Sequence, residues 1–333
     1  MEQAQDPTAA VRALTGWTPF FLEPGDPEPV AHWLEIGPEG FLEPFFERTI
    51  ERRSADPNCR VASTKIRALE LLPRVAPCLA PSGFIFHTSR AGSTLLANAL
   101  KACAQHLVIC EATPINQMLS WPVRQQEPAA WQRLFQGLVA CLGQAQEAAQ
   151  ERFFIKLVSH NLLEIERILN AFPGVPWVVL YRDPLEVLAS ALARPPRWLR
   201  LYERPNDAAN ELGLEPSEIA GLSRVDYAAR ILTQFCENAL GAAGRGGGLL
   251  VNYRQLSPAA LQPLGRHFGL DLCSEQLARM AEAFKFDAKS VTPRPFVAET
   301  PDEVDPALSQ ACAGSLEALY DALEARRTPL VES

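Results

Sequence analysis

The stretch Gly83-Phe84-Ile85-Phe86-His87-Thr88-Ser89-Arg90-Ala91-Gly92-Ser93-Thr94-Leu95-Leu96 constrains this chain more than any other. It begins as an apolar run with the length of a buried strand and passes through a small, polar turn. Leu95, Leu96, Ala99, Leu100 and Cys103 then follow at helical spacing. The pattern predicts strand, loop, helix. At such a junction the first N–H groups of the helix have no intrahelical acceptor and point into the loop, where the helix dipole adds partial positive charge. Phosphate is a natural occupant. Gly92 lets the backbone approach an anion, Ser93 and Thr94 add hydroxyl donors, and Arg90 offers a charge-assisted fork. A plain strand-to-helix turn with a serine-type cap is the alternative reading of the same residues.

The bulk of the sequence limits what the anion can belong to. With 333 residues, 47% hydrophobic and 21% charged, the chain is long and apolar enough for one large α/β domain, or for a main domain with an appendage. A net charge of -8 argues against nucleic acid and anionic membranes as partners, so a phosphate site must be a local positive pocket for a small ligand. No stretch approaches the roughly 18 apolar residues of a membrane span. Met1 to Asp6 lacks the basic and apolar regions of a signal peptide. The eight cysteines form no C-x-x-C pair, and a reduced, cytoplasmic protein without a metal site is expected.

Residues 1–75 combine Trp17, Phe20, Phe21, Trp33, Phe41, Phe45 and Phe46 with many prolines and acids. They are expected to form a mainly helical appendage of short helices, the last carrying Phe41, Phe45 and Ile50 on one face. Residues 76–333 are expected to form the main domain. There, apolar strands alternate with amphipathic helices, the signature of a parallel sheet with crossover helices. Five strands are predicted: Phe84 to His87, Leu107 to Cys110, Phe153 to Val158, Trp177 to Tyr181 and Leu249 to Tyr253. Trp131 to Leu142 and Leu162 to Leu169 carry helical core stripes, and a closing helix is expected over Leu308 to Leu323. Gly244 to Gly248 precedes a strand and therefore reads as a turn. Residues 195–224, with Arg197, Trp198, Arg200 and Tyr202, read as a lid or as a solvated surface excursion.

Ligands of open parallel sheets sit beyond the carboxyl ends of the strands. The residues there are Ser89 to Thr94, then Glu111-Ala112-Thr113-Pro114, then Lys156 with Ser159-His160-Asn161, then Arg182-Asp183-Pro184. Basic, acidic and hydroxyl groups are thus expected on one edge. A late basic loop, Lys285 to Arg294, offers a further cover for an anion.

Thr88-Ser89-Arg90-Ala91-Gly92-Ser93-Thr94 resembles the 5′-phosphosulfate loop of sulfotransferases that use 3′-phosphoadenosine 5′-phosphosulfate (PAPS). Val178-Val179-Leu180-Tyr181-Arg182-Asp183-Pro184, with Ser190 eight residues after the arginine, resembles their 3′-phosphate motif. Leu249 to Leu256, followed by Pro258 and by His267-Phe268-Gly269-Leu270, is similar to a late segment of that family. The resemblance covers roughly residues 80–295 and implies a P-loop NTPase-like three-layer α/β domain with a central, mostly parallel five-stranded sheet.

It also implies roles. Ser89, Arg90, Ala91, Gly92, Ser93 and Thr94 would hold the 5′-phosphosulfate of PAPS, and Arg182 and Ser190 its 3′-phosphate. Lys289 and Arg294 are candidates for a further cofactor loop. Glu111 would be the general base that deprotonates a hydroxyl or amine of a small-molecule or peptide acceptor, with His87 and His160 as rivals. Lys156 either reaches the sulfuryl group or snorkels to the sheet edge. Asp183 reads as a helix cap. The chain departs from the family pattern in having Thr88-Ser89 in place of proline, Ala91 in place of serine, and Tyr253-Arg254-Gln255 in place of an acidic pair. A P-loop kinase or NTPase using ATP and Mg²⁺ is the first competing reading, weakened because Ser93 stands where its lysine belongs. A non-catalytic nucleotide-binding module is the second.

Overall fold

The computed structural model describes residues 11–25, 28–120, 127–290, 292, 294–295 and 306–330. Met1 to Asp6, together with Val291 and Pro293 of the late basic loop, lie outside the described residues. The described strands are β1 (Trp17–Glu23), β2 (Val30–Glu35), β3 (Val61–Lys65), β4 (Pro81–His87), β5 (His106–Cys110), β6 (Arg152–Lys156), β7 (Trp177–Tyr181) and β8 (Gly248–Asn252). β1, β2 and β3 form one antiparallel sheet in that order. The other five are ordered β5-β6-β4-β7-β8, and the pairings β5–β6, β4–β7 and β7–β8 are parallel. Every strand expected from the alternating pattern is present, within three residues of its predicted ends. The chain packs as two compact units, residues 1–82 with 100–156, and residues 83–99 with 157–333.

The first unit corrects the expectation of a helical N-terminal segment. Where short helices are predicted, the chain forms the β1-β2-β3 sheet, and the longest helix among the described residues of the segment is Phe46–Ser54, between β2 and β3. Trp33 and Leu34 on β2 and Leu22 on β1 are fully buried, so the aromatics form a sheet core. Pro19 is tolerated because it sits at an irregularity in the β1–β2 register, between Pro19 and Phe21. The free edge of β1 is closed by side chains. Gln117 exchanges two hydrogen bonds with the backbone of Leu22, at 2.8 and 2.9 Å. Gln144 accepts from the Gly16 N–H at 2.8 Å and donates to the Trp17 carbonyl at 2.6 Å. Two amides therefore do the work of a missing strand.

In the second unit, β4, β7 and β8 end in register. His87 faces Leu180, and Tyr181 faces Asn252. The helix Arg224–Ala243 packs on β8 and on the helices Pro184–Ala193 and Ser315–Ala325. Tyr181 and Asn252 share one acceptor from the last of these. The Tyr181 hydroxyl donates to Glu324 Oε1 at 2.6 Å, and Asn252 Nδ2 donates to the same oxygen at 2.7 Å. Burial, followed by the Glu324 carboxylate, pushes the Tyr181 hydroxyl far above its ordinary pKa. The predicted closing helix is broken in two at Gly314, where φ is 84°. Within residues 195–224, expected as a lid or a solvated excursion, the chain forms short helices. Trp198 is fully buried, meets Phe235 edge-on at 5.8 Å, and accepts from the Tyr227 hydroxyl through its carbonyl at 2.9 Å.

Gly246 and Gly247 adopt positive φ, and β8 begins at Gly248, whose neighbour in the sheet is Trp177. A Cβ built on Gly248 would lie 2.2 Å from the nearest Trp177 ring atom, and that ring is buried. Gly248→Ala is therefore expected to destabilise by about 1–3 kcal/mol through overpacking. Gly221→Ala, with open space around it, is expected to stay within about 0.5 kcal/mol. Urea unfolding of the two variants beside the wild type measures both.

Candidate functional site

His87 ends β4 and shapes the loop after it. The Ser89 N–H donates to His87 Nδ1 at 3.1 Å, and Nε2 lies 3.1 Å from the Leu157 carbonyl oxygen. One nitrogen must accept and the other must donate, so the ring is held as the neutral Nε2–H tautomer. This removes His87 from the candidates for general base. The chain then turns through Ser89 and Arg90 with φ of 77° and 51°, and through Gly92 with φ of 78°. Ser93 opens the helix Ser93–Lys101, with Ser93 and Thr94 both buried.

Among the described residues, the non-glycine positions with positive φ are Ser89, Arg90 and Glu111. Each costs of order 1–3 kcal/mol and persists only where its surroundings force it. All three are residues the sequence singled out. Gly92 is constrained twice. Besides its left-handed φ, an added Cβ would meet Leu256 at 2.6 Å and Tyr253 at 2.9 Å. The late segment that follows β8 therefore closes over the loop. Thr88, at the base of the turn, is buried, and its hydroxyl has no hydrogen-bond partner among the described residues.

The second motif reaches the same loop. Arg182 follows β7, and its Nη1 donates to the Arg90 carbonyl at 3.5 Å, across 92 residues of sequence. Its guanidinium lies over the Tyr253 ring at 4.6 Å. Asp183 caps the helix Pro184–Ala193, accepting from the N–H groups of Leu185 at 2.9 Å and Glu186 at 3.3 Å. Ser190 lies two turns further along, partly buried. Arg90 donates to the carbonyl of Arg194, just past the end of that helix. Arg90, Gly92 and Arg182 are thus brought together, with Tyr253 and Leu256 beside them.

Two site residues were missed by sequence reasoning. Glu186 accepts from Arg182 and from Arg254, the latter at 3.0 Å. The i,i+4 spacing of Arg182 and Glu186 was visible in the sequence, whereas the approach of Arg254 depends on the pairing of β7 with β8.

Glu111 and Lys156 form a cluster in the other unit. Cys110 and Lys156 face each other at the ends of β5 and β6, and the Glu111 N–H donates to the Lys156 carbonyl at 2.7 Å. Glu111 then turns with φ of 60°, and its carboxylate accepts from Lys156 Nζ. The Lys156 side chain is 1% exposed and that of Glu111 26%. Lys156 does not snorkel. Its ammonium is enclosed by Glu111 and lies 5.5 Å from the centre of the Phe45 ring, so the N-terminal segment contributes to this cluster.

His160 is buried in the 3₁₀ turn Ser159–Glu164, which packs against the helix Arg224–Ala243. Lys289 and Arg294 are exposed on a hairpin-like loop closed by the Phe286–Pro295 bridge and by the Asp287 N–H donating to Arg294 at 2.7 Å. That loop is tied to the helix Ser93–Lys101 through Asn98 Nδ2 donating to the Ala288 carbonyl at 2.8 Å. None of the eight cysteines is joined in a disulfide among the described residues. Among the described residues, no group of three His, Cys, Asp or Glu is placed to hold a metal ion, and no helix is long and apolar enough to cross a membrane.

No protein-family model matches the chain, and no curated protein matches it. Several solved structures resemble it at low sequence identity. The sulfotransferase domain from the curacin biosynthetic pathway is 14% identical, covers 71% of this chain and 98% of its own, and has a TM-score of 0.42. The sulfotransferase from Alicyclobacillus acidocaldarius is 15% identical, with coverage of 75% and 97% and a TM-score of 0.42. The sulfotransferase domain from the Synechococcus PCC 7002 olefin synthase is 18% identical, with coverage of 76% and 97% and a TM-score of 0.40.

Gly92→Ala combines a left-handed φ with two close contacts and is expected to deform the loop. The expected outcome is an unfolding free energy lowered by about 1–3 kcal/mol. Chemical denaturation of the variant beside the wild type measures it.

Proposed function

We propose that this chain is a sulfotransferase that moves a sulfuryl group from PAPS to a hydroxyl or amine of a small-molecule or peptide acceptor. The observation that carries the reading is the convergence of Arg90 and Arg182, from two motifs 92 residues apart, on one strained turn closed by Tyr253 and Leu256. A loop that holds two arginines, a helix N-terminus and a glycine with no room for a Cβ suits a phosphate-bearing ligand. The buried, unpartnered hydroxyl of Thr88 adds a polar atom of the kind such a ligand satisfies.

In this reading Arg90, the N–H groups of Gly92, Ser93 and Thr94, and the hydroxyls of the last two hold the 5′-phosphosulfate. Arg182 and Ser190 hold the 3′-phosphate, and Lys289 and Arg294 extend from the late loop. PAPS supplies an activated sulfuryl group whose transfer asks for in-line positioning and for neutralisation of charge on the leaving phosphate. Glu111 takes the proton from the acceptor. Its φ of 60° and its ion pair with Lys156 fix the carboxylate in place while leaving it partly accessible. No metal is required in this scheme.

Calorimetric titration with adenosine 3′,5′-bisphosphate, in parallel with ATP and Mg²⁺, tests the donor. Binding of the bisphosphate is expected to weaken at least about tenfold in Arg182→Ala, the loss of charged hydrogen bonds. Preference for ATP, or indifference to Arg182→Ala, would overturn the reading in favour of a kinase or a binding module. Glu111→Gln is expected to retain bisphosphate affinity and to lower transfer to a phenol or amine acceptor by about 10²–10⁴-fold. Unchanged turnover would move the base to His160.

A further inference from the structure

Glu186 stands at an odd place for a carboxylate. It lies four residues after Arg182 and four before Ser190, between the two residues assigned above to the 3′-phosphate. One of its oxygens accepts from Arg182 Nε and the other from Arg254 Nη2. Burial pushes its carboxyl up, but hydrogen bonds from Arg182 and Arg254 more than offset this and hold it below the usual carboxylate range. The group is therefore an anion that two guanidinium groups share.

Two carboxylates face Arg182 and Arg254 here, those of Asp183 and Glu186. Asp183 is committed to the N–H groups of the helix it caps. Glu186 has no comparable backbone duty and is held by side chains, one of which is mobile in principle. The Arg254 side chain is 66% exposed, whereas Arg182 is held against Tyr253 and the Arg90 carbonyl.

Carboxylate and phosphate present the same two-oxygen edge to an arginine fork. A phosphate dianion cannot sit on Arg182 beside an unmoved Glu186 without strong like-charge repulsion at low effective dielectric. From this we infer that Arg254 is a further phosphate-binding residue, held in reserve by Glu186, which serves as an internal counter-ion exchanged for the 3′-phosphate of the nucleotide. The inference rests on the donor site proposed above. When the nucleotide leaves, Glu186 takes both arginines back, so neither is left without a counter-charge. The carboxylate thereby weakens nucleotide binding and favours product release.

The test compares wild type, Glu186→Gln and Arg254→Ala by calorimetric titration with adenosine 3′,5′-bisphosphate and with adenosine 5′-monophosphate, after thermal melting has established that each variant folds. Glu186→Gln is expected to bind the bisphosphate about tenfold more tightly, and the monophosphate within about twofold of wild type. Arg254→Ala, an exposed position with little bearing on folding, is expected to weaken the bisphosphate about tenfold and to leave the monophosphate unchanged. Weaker or unchanged bisphosphate binding by Glu186→Gln, or indifference to Arg254→Ala, would overturn the inference. If bisphosphate binding falls on Arg182→Ala and yet ignores both changes, the donor site stands and the counter-ion exchange is wrong. A wild-type protein that binds neither nucleotide defeats the donor site, and this inference with it.

Discussion

The loop after β4 exists in its observed shape because His87 is satisfied on both sides of its ring. Nδ1 receives the Ser89 N–H and Nε2 reaches the Leu157 carbonyl, so the end of β4 is pinned to the segment after β6 and to its own next turn. A charged imidazolium has no lone pair to accept from Ser89 and would release that turn. The two left-handed residues that follow are held by contacts from further along the chain. Arg182 reaches the Arg90 carbonyl, and Tyr253 and Leu256 press on Gly92. Strain at Ser89 and Arg90 is therefore imposed by the ends of three strands acting together.

Parallel strands buried on both faces leave a plain record in sequence, as apolar runs of about five residues. β5 and β7 are buried at every position, and β4, β6 and β8 were equally visible. The N-terminal sheet left no such record. β1 contains Pro19, its partner β2 contains His32, and the edge strand β3 is exposed at alternate positions. What makes β1 viable is the pair Gln117 and Gln144, far along the chain, whose amides occupy its open edge. No local pattern announces that a glutamine on a helix will serve as a strand. The burial within residues 195–224 is hidden for a related reason, because their prolines and charges mask the fully buried Trp198.

The candidate site divides in the same way. The loop, Arg182 and the capping role of Asp183 follow from short spacings at strand ends. The partnership of Lys156 with Glu111 arises from the register of β5 against β6, which puts Cys110 opposite Lys156. A lysine in an apolar strand then reads as buried and paired, with Phe45 against its ammonium. Arg254 joined the site through sheet pairing alone, since β8 delivers it beside the helix that follows β7.

The sharing of Glu324 by Tyr181 and Asn252 has a consequence for the order in which the protein is made. Those two residues end the strands that lead directly to Arg182 and to Tyr253, yet their common acceptor lies on the helix Ser315–Ala325. A chain growing from its N-terminus holds both motifs well before it holds that acceptor. Until then the tyrosine hydroxyl and the amide lack that acceptor and have only water to bond to. The strand ends that lead to Arg182 and to Tyr253 are accordingly joined through this shared acceptor only once translation has passed residue 324. A nascent fragment can thus carry both motifs while the ends of β7 and β8 still lack the side chain that joins them.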